Sequence, residues 1–438
     1  MSDRNRLADQ LRIILDTPTL KSKKSQLIQS YGDNDLFEFI AIGSPSRYTQ
    51  LQTDFANEVI WITKDDQGRE QYDFPYTEEI LANLAASLSL KLDEVKLFYI
   101  TRILSGQPNE NQKVIMISER KKLLNYQKYF NDRLPAFTIF DPEEASLFID
   151  LFCKRHGKYF VKPQFLANRG LWYLYSMRSK LQQFQLAWSV NASSKNPSDY
   201  GADMQMMGSI SSRMKDMLKA IDEIGINYYK GSNNDTKDDM LYHFNYWITL
   251  YSGILDALAW VSLYRYGIPA PNKNKVALGS DEVLIEIYKR NPKLKEVISK
   301  NRKIIDLIYE PRNMFIHREM LHGLRLSNYQ ANLEINVIDV EGEFLSHIRA
   351  LQAVVKGGLN KAGLYEVQGR YFLELYRFVK FATRLFVDFL NQYVSTLEYE
   401  QLLVGDQVLK EKVDAAIKTI PQTLGFDTTE FKDFALGY

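Results

Sequence analysis

The chain has 438 residues, 45% of them hydrophobic, and its 55 Lys and Arg balance 54 Asp and Glu to a formal charge of +1. That length and apolar content fit about two to three folded domains, and a charge so near zero excludes a globally basic nucleic-acid binder, so that any basic surface is local. A single cysteine, Cys153, excludes an internal disulfide and a cysteine-built zinc site, and with five histidines neither metal nor cofactor is expected.

Met1-Ser2-Asp3-Arg4-Asn5-Arg6 lacks the order of a secretory signal. The most apolar helical stretches carry Asp256 in one case and Lys380, Arg384 and Asp388 in another, so none reads as a bilayer span. A cytoplasmic protein without membrane contact is expected. Leu7, Leu11, Ile14 and Leu15 recur at helical spacing and open a set of short helices over residues 3–43. Val59 to Thr63 and Glu70 to Phe74, joined through Gly68, predict a β-hairpin. A helix begins at Thr77, with Glu78 and Glu79 in its first turn.

The polar run Ser105-Gly106-Gln107-Pro108-Asn109 marks a boundary. Beyond it Val114 to Ile117 and Ala136 to Phe140 read as strands, each followed by a helix, the second opened by Asp141-Pro142. The aromatic run from Tyr159 to Val190 includes Phe160, Trp172, Tyr173 and Phe184, and is expected to build core rather than a stacking platform for bases. Met204, Met207, Ile210, Met214, Met217 and Ile221 fall on one face of a helix. After Gly231 to Asp235 every element reads as helical: 238–266, 281–290, 293–309, 311–322, 341–357 and 366–397.

The expected fold is mainly α, with an N-terminal region mostly helical apart from a hairpin and a small α/β portion. The expected segments are 1–105, 112–230, 238–397 and a helical extension over 398–438.

The chemistry concentrates in Arg312-Asn313-Met314-Phe315-Ile316-His317. Pro311 is expected to start or sharply bend a helix there, which would put Arg312 and Asn313 at its positive end, where an anion is favoured. Arg312 offers a permanent charge and forked donors for a phosphate. His317 titrates near neutrality and can take a proton from a 2′-hydroxyl or give one to a leaving oxygen. Asn313 can donate to the same phosphate or orient the imidazole. Five positions turn about 140° around a helix, so Arg312 and His317 cannot lie side by side. They converge on a ligand through the length of Arg312, or face the same pair on a second chain.

Arg-Asn-x-x-x-His within a helical segment resembles the signature of the HEPN superfamily, whose helical domains often act as metal-independent endoribonucleases in toxins and phage defence. Of the five histidines only His317 has an arginine five places before it, since Leu151, Asp238, His317 and Gly342 stand at that distance from the other four. The resemblance covers residues 238–397. It implies RNA as substrate, a composite site in a homodimer, and Arg312, His317 and Asn313 as the acting residues. It also implies a supporting polar residue on an earlier helix, for which Asp256, the lone acid of an apolar helix, is the candidate. Six basic residues between Lys300 and Arg325 (Lys300, Arg302, Lys303, Arg312, Arg318, Arg325) face three acids (Asp306, Glu310, Glu319), a local excess that could follow an RNA backbone. The alternative is a HEPN-like module that has lost cleavage and binds RNA, a nucleotide or a partner protein.

Overall fold

A computed structural model describes residues 10–16, 28, 35–43, 58–61, 77–105, 113–124, 138–162, 165–194, 201–230, 234–317, 323–328, 333–351 and 358–424. The fold is mainly α. Two compact units divide it, one formed chiefly by residues 1–166 and the other by 167–326 and 334–436.

The first unit is built on a five-stranded sheet ordered β3-β2-β1-β4-β5, from β1 (Leu11–Asp16), β2 (Phe37–Gly43), β3 (Glu58–Trp61), β4 (Lys113–Ile117) and β5 (Thr138–Phe140). Every pair in it is parallel. This corrects the helix expected through Leu11, Ile14 and Leu15. In a parallel sheet covered on both sides a strand is apolar throughout, and Leu11, Ile13, Ile14 and Leu15 are all fully buried. Such a run matches helical spacing as well as strand.

Ile14, Ile40, Ile42 and Met116 pack on Leu81, Val95, Phe98 and Ile100 from helices α1 (Glu78–Ser87) and α2 (Leu92–Ser105). Phe37, on the opposite parity of β2, meets Phe152 of α3 (Pro142–Arg155), their ring centroids 6.0 Å apart. Helices therefore cover both faces, as a parallel sheet requires. Asp141 caps α3 as expected, accepting from the backbone N–H groups of Glu143 and Glu144 at 2.9 Å. Thr77 caps α1 through the N–H of Ile80. Glu58–Trp61 pairs in parallel with β2, and the second half of the expected hairpin, Glu70 to Phe74, lies outside the described residues. Two short strands, β6 (Tyr159–Lys162) and β7 (Phe165–Ala167), pair with each other.

The second unit is a helical bundle. It contains α4 (Arg169–Lys180), α5 (Gln182–Ser193), α6 (Ala202–Tyr229), α7 (Asn234–Tyr266), α8 (Asp281–Arg290), α9 (Pro292–His317), α10 (Gly342–Ala350), α11 (Leu375–Thr396) and α12 (Gln407–Leu424). The 28-residue α6 and 33-residue α7 are joined by a few residues and pack along their lengths as a helical hairpin. The methionines singled out by spacing, Met204, Met207, Met214 and Met217, are buried.

Aromatic side chains fill the centre. Trp247 stacks on Tyr251 at 5.3 Å between centroids, Tyr251 meets Phe386 at 3.7 Å, and the Trp247 indole N–H donates to Thr383 Oγ1 at 3.1 Å. Phe160, Trp172, Tyr173 and Phe184 are buried, in keeping with their reading as core residues.

Two expectations for this unit need correction. The region is not all-helical, because β8 (Gly323–Asn328), β9 (Leu333–Val340), β10 (Leu364–Val367) and β11 (Arg370–Glu374) form a sheet ordered β10-β11-β9-β8. Residues 366–374, expected to open a helix, instead form a hairpin in which Val367 pairs with Arg370 and the turn residues Gln368 and Gly369 both have positive φ. Secondly, Pro311 neither starts nor ends a helix but lies inside α9. The missing proline N–H leaves the Leu307 carbonyl without its usual partner. Burial of Ile304, Ile305, Leu307 and Ile308 on one face holds the helix through that gap.

Candidate functional site

Because α9 runs on to His317, Arg312 and His317 stand near its carboxyl end, where the backbone presents partial negative charge. The anion-favouring helix start expected at Arg312 is therefore absent. What α9 provides is a common axis for both residues. The side chains of Asn313 and His317 lie outside the described residues.

Arg312 is half-buried and belongs to a polar cluster set among α6, α7 and α9. Tyr309, three residues earlier and so on the same face of α9, donates its hydroxyl to Asp256 Oδ1 of α7 at 2.9 Å. Burial pushes the Asp256 carboxyl above its ordinary value, while the Tyr309 bond and the charges of Arg312 and then Arg213 draw it back. Burial and the neighbouring Asp256 charge push the Tyr309 phenol well up, against Arg312 and a hydrogen bond from the Gly279 backbone. Both effects favour the protonated, donating form of Tyr309.

Two glycines make room for this cluster. A Cβ on Gly253, one turn before Asp256, would stand 2.8 Å from Arg213 Nε, so the absence of a side chain lets Arg213 of α6 cross α7. Arg213 is anchored there by a bond to Ser209. A Cβ on Gly279 would stand 3.3 Å from the Tyr309 ring.

Asp256 and Arg312 are thus brought into electrostatic range, with Tyr309 as the group directly on the carboxylate. Tyr309 was not singled out by sequence, because a tyrosine on an amphipathic helix carries no signature of its own. Among the described residues Arg312 has no hydrogen bond and no ion pair within 4 Å. Two of the local basic residues are engaged within the protein, Arg302 pairing with Asp306 at 2.7 Å and Lys303 donating to the Ala350 carbonyl at 3.1 Å, which leaves the local excess of charge unchanged.

The first unit has polar residues at a comparable topological position. Its strand order reverses between β1 and β4, the place where open parallel sheets leave a crevice at their carboxyl ends. Asp16, fully buried at the end of β1, there accepts from Ser118 Oγ at 2.8 Å and pairs with Arg120 Nε at 2.8 Å, while Arg120 also reaches Asp93 at 3.0 Å. The apolar run of β1 ends on Asp16 and that of β4 is followed by Ser118, the sequence signal that marks this edge.

No family model, no curated protein and no solved structure matches the chain. No group of three or more residues able to hold a metal ion occurs among the described residues. No described helix is long and apolar enough to cross a membrane.

Proposed function

We propose that the chain is an endoribonuclease of the HEPN type, acting through Arg312 and His317 without a metal ion. The observation that carries this reading is Arg312 itself. It is a half-buried cation with carboxylate attraction close by and no direct partner among the described residues, on the same helix as the histidine that completes the motif. Its forked donors remain available for a phosphate.

In the proposed reaction His317 accepts the 2′-hydroxyl proton, the freed oxygen attacks the adjacent phosphorus, and the bond to the 5′-oxygen breaks. A 2′,3′-cyclic phosphate and a 5′-hydroxyl result, the latter taking up a proton. Arg312 and Asn313 offset the charge that builds on the phosphate oxygens. Asp256 and Tyr309 act as positioning residues for Arg312. Since five positions turn about 140° along one helix, the reading places the site across a twofold dimer, each chain supplying one motif.

The test is cleavage of labelled RNA by the purified full chain in the presence of EDTA. Wild type is expected to cut, and Arg312→Ala and His317→Ala to remain folded without cutting. Equal cleavage by all three proteins, or cleavage abolished by the chelator, would overturn the reading. RNA binding without cleavage by wild type would leave the non-catalytic module in its place.

A further inference from the structure

Away from Arg312, α4, α5 and α6 line a cleft of about 310 Å³ that opens to solvent. Six of its lining side chains carry hydrogen-bonding groups: Arg178, Gln185, Trp188, Ser189, Ser211 and Ser212. Among the described residues none of the six makes a side-chain hydrogen bond or an ion pair. Helical serines usually return their hydroxyl to a carbonyl of the preceding turn. Ser179, Ser252 and Ser262 do so here, at 2.9, 3.0 and 3.1 Å. Ser189, Ser211 and Ser212 do not, and Ser189 is only 8% exposed.

Arg178 is the sharper anomaly. It is half-buried, burial lowers its affinity for its proton against a smaller opposing effect of Tyr175, and among the described residues no carboxylate offsets the cost. A desolvated guanidinium facing a cleft is stabilised when an anion enters. The remaining groups specify what else that anion carries. Trp188 offers an aromatic surface, its six-membered ring 3.6 Å from where a Cβ on Gly208 would stand, an ordinary van der Waals distance that sets the ring against α6. Gln185 presents a donor and an acceptor in one plane, the pattern that reads a base edge. The serine hydroxyls suit a sugar, and buried Met177 and Phe184 supply apolar wall. The volume stands at the lower end of small-ligand pockets, enough for one nucleotide and too little for two.

We infer that this cleft is a mononucleotide site, with Arg178 on the phosphate and Trp188 against the base. The inference does not rest on the ribonuclease reading, because none of these residues belongs to the Arg312 cluster.

Calorimetric titration of the full chain with each of the four 5′-mononucleotides tests it. At least one is expected to bind with one site per chain, and Arg178→Ala to weaken that binding at least tenfold. Ser212→Glu, at an exposed position lining the same cleft, is expected to do likewise by pairing a carboxylate with Arg178, with unchanged circular dichroism and melting temperature. The matching nucleoside, which lacks the phosphate, is expected to bind more weakly and equally to wild type and Arg178→Ala. Arg312→Ala is expected to bind the nucleotide as wild type does. Absence of binding at millimolar concentrations of all four, wild-type affinity in both cleft variants, or loss of binding in Arg312→Ala would overturn the assignment. Cleavage of RNA by any of these proteins has no bearing on it.

Discussion

The Tyr309 hydroxyl reaches across from α9 to Asp256 on α7 at 2.9 Å, and this contact makes the charge of a carboxylate in the bundle depend on a phenol. The native carboxyl lies above its ordinary value, chiefly through burial. The native state therefore holds more protons than the unfolded state between the two values, and stability falls as pH rises from about 4 through the native value. Tyr309→Phe removes the donor to the charged form and raises the native value further. The expected loss is about 1–2 kcal/mol at pH 7, kept to the low side because Asp256 is partly exposed, and it shrinks towards pH 4. Asp256→Asn should flatten the same dependence. Urea unfolding at both pH values measures this, and an equal loss at each would show that the bond does not act through the carboxylate charge.

The proposed ribonuclease reading separates the reacting groups from the groups that hold them. Arg312→Ala and His317→Ala are each expected to lower RNA cleavage at least about 100-fold. Arg312→Lys keeps the charge without the fork and should fall between wild type and alanine. Asp256→Asn should lower kcat about tenfold with little change in KM and displace the pH profile, as expected of a residue acting through Arg312. A pure rise in KM for Asp256→Asn would instead place it in substrate binding.

Gly363 is the position where a methyl group should be costliest. Its φ is +83°, and a Cβ would stand 2.7 Å from the Glu374 carbonyl oxygen, a backbone atom that accommodates little. Glu374 in turn donates its N–H to the Gly363 carbonyl at 2.7 Å, tying the hairpin to the start of α11. Gly363→Ala is expected to cost at least about 2 kcal/mol, read as a lowered midpoint in thermal or urea unfolding.

The lone thiol offers a direct probe of the first unit. Cys153 is 2% exposed, and burial foremost pushes its proton affinity far above that of a free thiol. Reaction with a thiol reagent at pH 8 should therefore wait on unfolding and follow the denaturation curve. Rapid labelling of the native protein would contradict the burial of α3 against the sheet.

The sequence was most legible where a local rule and burial agreed. Asp141-Pro142 announces α3 because the cap and the proline act within one turn, and the methionine stripe announces α6 because one face of a long helix must be apolar. Leu11 to Asp16 was illegible for the opposite reason. A strand buried on both faces loses alternation, and only its pairing with β2 and β4, remote in sequence, decides the conformation. The hairpin at Gln368-Gly369 hid because Tyr371, Phe372 and Leu375 join the apolar residues of α11 at helical spacing, although Gly369 was the local mark of a turn. At the candidate site Arg312 and Asp256 were visible as a cation in a motif and a lone acid in an apolar helix. Tyr309 was not, since a tyrosine on an amphipathic helix has no signature until its hydroxyl meets a partner.

The crossing of α7 by Arg213 above Gly253 carries an evolutionary consequence. Positions 213 and 253 are expected to vary as a single unit, because a side chain at one occupies the path of the other. In divergent copies of this bundle the long cation should travel with glycine, and a larger residue at 253 should appear with a shorter one at 213. Where that exchange has happened, Asp256 has lost one of its two nearby positive charges. Such chains should then replace the acid with a neutral residue, or draw Arg312 closer to it.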